Sequence, residues 1–91
     1  MEKYLPIGSV VLLQRADFPL MVYGHKRIHE ASGQEFDYIG CPYPQGYIDD
    51  DLIIFFNRLD IQQTLFTGYE SEADQLFQEE FLGVKQHSAF E

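Results

Sequence analysis

Four groups of residues in this 91-residue chain could do chemistry: His25 with His29, the single Cys41, the run Asp49-Asp50-Asp51, and Tyr38, Tyr43 and Tyr47. Two imidazoles can share a metal and a thiolate can attack an electrophile. Three carboxylates can hold calcium, and clustered phenols can grip a protein surface. Spacing decides among these. Histidines four apart on a regular strand share a face but lie about 13 Å apart, too far for one ion unless the chain bends near Gly24. The aspartate run has neither the spaced ligands, the sixth-position glycine nor the closing glutamate of a calcium loop, so it reads as a solvated loop. Nothing in the sequence tethers a histidine to Cys41, and a thiol just before Pro42 reads as buried and inert. Phosphate-binding glycine loops, serine elbows and zinc-protease motifs do not occur. The expectation is therefore a chain without catalytic residues, metal or cofactor. Its candidate site is a partner-binding surface made by Tyr38, Tyr43 and Tyr47 with Asp49, Asp50 and Asp51. The competing expectation is that Tyr38 packs in a sheet while Tyr43 and Tyr47 cover its open end.

Those residues need elements to hold them. Val10-Val11-Leu12-Leu13, opened by Pro6 and Gly8, is apolar on both alternations and reads as a strand covered on both faces or staggered in a small barrel. Phe18–Tyr23 reads as a second strand, with Pro19 at an edge or in its first residues. Gly24 permits a bulge, after which the strand continues through His29. Glu30–Gln34 is a turn by composition. Phe36–Cys41 alternates as a third strand that Pro42 ends. Pro44-Gln45-Gly46 fits a type I turn, Tyr47-Ile48 opens a short strand, and Leu52–Phe56 reads as a central strand.

The pattern changes at Asn57. Asn57 with Asp60 and Ser71 with Asp74 have the spacing of capping boxes, with aspartate in place of glutamate. A short helix is expected near residues 58–65. A second, Ser71–Leu82, would dock on the sheet through Leu76, Phe77 and Phe81 and close at Gly83. The tail after about residue 83 is expected to fray. The fold class is α+β: one domain over residues 1–91, with a small antiparallel β-sheet of about four to five strands, open or barrel-like, and one or two C-terminal helices.

Composition narrows the partners. Six basic against fifteen acidic residues give −9, a surface that repels nucleic acid and anionic membranes. With 45% hydrophobic and 15% aromatic residues the chain can bury a real core, so disorder is not expected. One cysteine excludes an intrachain disulfide, and the apolar runs are far too short to span a membrane. No signal peptide is visible, so the expected address is cytoplasmic.

Three stretches carry a resemblance. They are Lys3-Tyr4-Leu5-Pro6-Ile7-Gly8-Ser9-Val10-Val11-Leu12-Leu13, Phe36-Asp37-Tyr38-Ile39-Gly40-Cys41-Pro42-Tyr43-Pro44-Gln45-Gly46, and Phe55-Phe56-Asn57-Arg58-Leu59-Asp60-Ile61 followed by Gly68-Tyr69-Glu70. In this order they resemble DUF4176, a family of small bacterial proteins of unknown function. The segment from Gly24 to Glu35 matches no part of the pattern. The resemblance implies a Gram-positive setting beside type VII secretion genes and their LXG-type toxins. It therefore implies a non-enzymatic module, a chaperone or adaptor whose partner is a secreted toxin or secretion component, with a homodimer left open. The alternatives are an immunity protein that neutralises a toxin domain and a small hydrolase. The resemblance supplies no catalytic residues.

Overall fold

The computed structural model describes residues 3–84. Five strands form one open antiparallel sheet: β1 (Val10–Leu13), β2 (Leu20–His29), β3 (Gln34–Pro42), β4 (Ile54–Phe56) and β5 (Ile61–Phe66). Their spatial order is β4-β3-β2-β1-β5, and one α-helix among the described residues, α1 (Glu72–Phe81), follows. The fold is α+β as expected, and the sheet does not close into a barrel. It ends on β4 at one side and β5 at the other.

Alternation sorts the side chains. Val11, Leu20, Val22, Tyr38 and Phe56 point to one face, where Tyr4, Leu82 and Val84 cover them to make the core. Val10, Met21 and Cys41 stand side by side in register on the opposite face. The register of β2 on β3 shifts between Val22 and Gly24, the bulge that Gly24 permits. A Cβ at Gly24 would collide with the Ile39 side chain, so the close approach itself requires glycine.

The second half of the chain departs from expectation in several places. Where a helix was expected near 58–65, Arg58–Asp60 makes one 3-10 turn and Ile61–Phe66 runs as β5 along β1. Pairing with β1 outweighs the weak helical stripe of Leu59, Ile61 and Leu65. The apolar run Leu52–Phe56 is not a central strand. Asp49 accepts the Asp51 N–H and caps a 3-10 turn over Asp50–Leu52, which leaves Ile54–Phe56 as the short edge strand β4. Tyr47-Ile48 forms no strand. The Tyr43–Pro44 peptide is cis, and the Gly46 N–H reaches the Pro42 carbonyl (2.7 Å), so this turn is one residue wider than type I.

Helix α1 begins and ends where its sequence marks it. Ser71 Oγ accepts the Asp74 N–H (3.0 Å), and Gly83 takes a left-handed φ of 73° that lets the Val84 N–H reach the Gln78 carbonyl. Its orientation differs from expectation. Leu76, Phe77 and Phe81 are 50%, 40% and 69% exposed, whereas Gln78 is buried. Gln78 lies inward because it hydrogen-bonds both backbone groups of Tyr4, which have no strand beside them. The tail expected to fray lies outside the described residues, except for Val84, which is buried.

A candidate partner-binding groove

The candidate residues of the sequence do not all reach one surface. Tyr38 is buried, stacked on Phe56 (5.4 Å between centroids), and its hydroxyl accepts the Leu5 N–H at 2.8 Å. It belongs to the core, so it is removed from any contact surface. Burial, partly offset by the Leu5 hydrogen bond, holds its phenol above the usual value. Tyr43 and Tyr47 are about half exposed. The Tyr43 N–H donates to the Pro19 carbonyl (3.0 Å), which fastens the loop to the entry of β2.

The aspartates are structural in part. Asp49 caps the 3-10 turn, and Asp50 Oδ1 accepts the Tyr47 hydroxyl at 2.7 Å. That bond to a carboxylate is the main reason the Tyr47 phenol titrates above its usual value. Asp51 is exposed. Among the described residues no three His, Cys, Asp or Glu side chains converge as a metal site would require.

The histidines have separate surroundings. His25 is buried among Tyr4, Tyr38 and Phe77, with Nε2 2.6 Å from the Leu5 carbonyl oxygen. His29 lies edge-on to Phe55 and pairs with Ser32 Oγ. Cys41 is buried beside Met21 in the sheet, and burial pushes its thiol upward, away from the reactive thiolate.

A groove of about 410 Å³ crosses one end of the sheet. Tyr43, at the end of β3, forms one wall, and Leu65 and Phe66, at the end of β5, form the other. Met21 of β2 with Pro19 just before that strand, and Val10 of β1 with Gly8 two residues before it, line the rest. The strand ends meet there because neighbouring strands are antiparallel, so the exit of β3 and the entry of β2 fall at the same end. No lining residue is charged, although the chain carries −9. Leu65 and Phe66 are 45% and 62% exposed, so the wall they form is uncovered apolar surface.

The sequence reading reached Tyr43 but missed the rest of this site. Reading residues 58–65 as a helix took Leu65 away from the sheet. The signal that could have found β5 is the uncharged run Ile61–Phe66, which holds Thr64 and two aromatic or β-branched ends and no helix former stronger than glutamine and leucine.

No helix among the described residues is long and apolar enough to cross a membrane. A protein-family model described as "Domain of unknown function (DUF4176)" matches residues 4–77, most of the 91-residue chain. No curated protein and no solved structure matches it.

Proposed function

The chain belongs to the DUF4176 family, and on that premise we propose that it is a non-enzymatic binding module. In this reading it acts in the cytoplasm as a chaperone or adaptor that holds an LXG-type toxin before type VII secretion. The observation that carries the binding role is the uncharged groove between Tyr43 and Phe66. Exposed aromatic and aliphatic walls around a concave floor give a partner's apolar side chain a place to leave water. The −9 charge outside the groove favours fast encounter with a basic partner, while the groove supplies the contact that slows release. The toxin as partner rests on the genetic setting that the family resemblance implies.

Co-expression with an LXG-type toxin tests the reading. A stable co-purifying complex is expected, with toxin level or export raised by the module. Tyr43→Ala and Phe66→Ala should each speed dissociation by roughly the 1–4 kcal/mol of an aromatic anchor while leaving the melting temperature nearly unchanged. Protection of cells from the isolated toxin domain would instead establish an immunity protein, and absence of any complex would end the binding reading.

A further inference from the structure

The two edges of the sheet are built differently. β4 spans only Ile54–Phe56 and is hemmed by 3-10 turns at Asp50–Leu52 and Arg58–Asp60. Short edge strands next to turns are a common defence against unwanted strand pairing. β5 is twice that length, although its register on β1 shifts between Val10 and Val11 and again between Leu12 and Leu13. It runs for six residues with one side along β1 and, among the described residues, no strand on the other, and residues 62–66 are all exposed.

The sequence of that edge adds no guard of its own. From Ile61 to Tyr69 no residue is charged and none is proline, in a chain where 23% of residues are charged. Lysine, proline and inward charges are the usual means of blunting an edge, and all are missing from β5. Its C-terminal residues Leu65 and Phe66 form one wall of the apolar groove, so edge and groove are continuous.

Charge selects the occupant. Asp60, whose Oδ2 accepts the Asn57 N–H, immediately precedes β5, and Glu70, in an exposed pair 3.9 Å from Lys3 Nζ, follows its uncharged run, so in sequence a carboxylate lies beyond each end. Resting on the binding-module reading above, we propose that β5 accepts an extended segment of another polypeptide as a sixth strand. That segment is uncharged through its middle, alternates apolar with small polar side chains, and carries a lysine or arginine near each end. Backbone hydrogen bonds along β5 supply the pairing, and alternate side chains give specificity at the groove. The terminal cations meet Asp60 and Glu70. A second copy of this chain fits less well, because antiparallel self-pairing of β5 would bring the acidic brackets of two chains of −9 each toward one another.

Backbone amide hydrogen exchange tests this, with three synthetic peptides sharing one alternating valine–threonine centre. The first has lysines at both ends, the second has aspartates, and the third has lysine ends with a central proline that removes a backbone donor. The lysine-ended peptide should slow exchange across residues 61–66 about tenfold, and the other two should not. Thr64→Lys, which installs the missing edge guard, should abolish the slowing without lowering the melting temperature.

Equal slowing by lysine- and aspartate-ended peptides overturns the charge selection. Slowing in the peptide-free protein that disappears on dilution would assign the edge to a second copy and overturn the proposal. Slowing at Val10, Met21 and Tyr43 with none along β5 would leave the binding module standing and remove strand addition. No change anywhere removes strand addition, and the co-purification experiment then judges the module separately.

Discussion

Gln78 grips Tyr4 by both backbone groups: its Oε1 accepts the Tyr4 N–H at 2.9 Å, and its Nε2 donates to the Tyr4 carbonyl at 3.0 Å. The amide thus replaces a neighbouring strand for a residue that has none, and Nε2 also donates to Asp74 Oδ2. Gln78→Ala would leave two backbone groups of Tyr4 without partners in a buried place. A loss of about 2–4 kcal/mol is expected in urea melts. Phe81→Ala, at a position 69% exposed, should fall within about 0.5 kcal/mol of wild type. A larger loss for Phe81 than for Gln78 would mean that the helix docks by its aromatic face.

Gly68 is held where no side chain fits. Its N–H donates to Ser9 Oγ (2.9 Å), whose hydroxyl donates to the Pro6 carbonyl, and a Cβ there would collide with the carbonyl oxygen of Ile7. Backbone cannot swing aside as a side chain can. Gly68→Ala should therefore cost about 1–3 kcal/mol, read as a lowered urea midpoint, and a neutral result would place the 67–69 segment away from Ile7.

Alkaline stability should depend on Tyr38. Its phenol is raised above 10.0, chiefly by burial, so the folded state holds that proton more tightly than the unfolded chain. Its contribution is fully present below pH 10.0 and is lost as pH climbs from there through the raised folded value. Tyr38→Phe should lower stability by about 1–3 kcal/mol at neutral pH, because the Leu5 N–H loses its acceptor. The same variant should fall less steeply than wild type in urea melts above pH 10.0. Parallel curves for the two proteins would contradict this.

Cys41 should behave as a core side chain. Burial both hides the thiol and disfavours its thiolate. A thiol-exchange reagent at neutral pH is expected to label it only at the rate at which the sheet opens, and at once in urea. Rapid labelling of the folded protein would show β3 to be open at Cys41.

Much of the first half of the fold is legible in the sequence, because its strands are bounded by residues with one clear meaning. Pro6 and Gly8 open β1, Gly24 marks the bulge in β2, and Pro42 ends β3. The caps of α1 are equally plain at Ser71 and Gly83. Its rotation is not, because periodicity counts apolar residues and cannot foresee that a glutamine is drawn inward by unpaired backbone at Tyr4. β5 is hidden for a related reason. Its strand character comes from pairing with β1, some fifty residues earlier in the chain, and not from its own alternation. Because the groove needs Leu65 and Phe66 on that strand, only its Tyr43 wall could be read in advance.

The grip on Tyr4 also sets an order of events. Tyr4 and Gln78 are 74 residues apart, and the side chains of Leu82 and Val84 close over the same core. In a chain made from its N-terminal side, Tyr4 waits 74 residues for Gln78. The strands can pair earlier, but their apolar face stays wet until the helix arrives, which favours slow, late consolidation over local collapse. A transcript cut short before Gln78 would therefore release a sheet without its latch, exposed to proteases on the side that a finished molecule keeps dry. The core face shuts only once Gln78, Leu82 and Val84 are all in place.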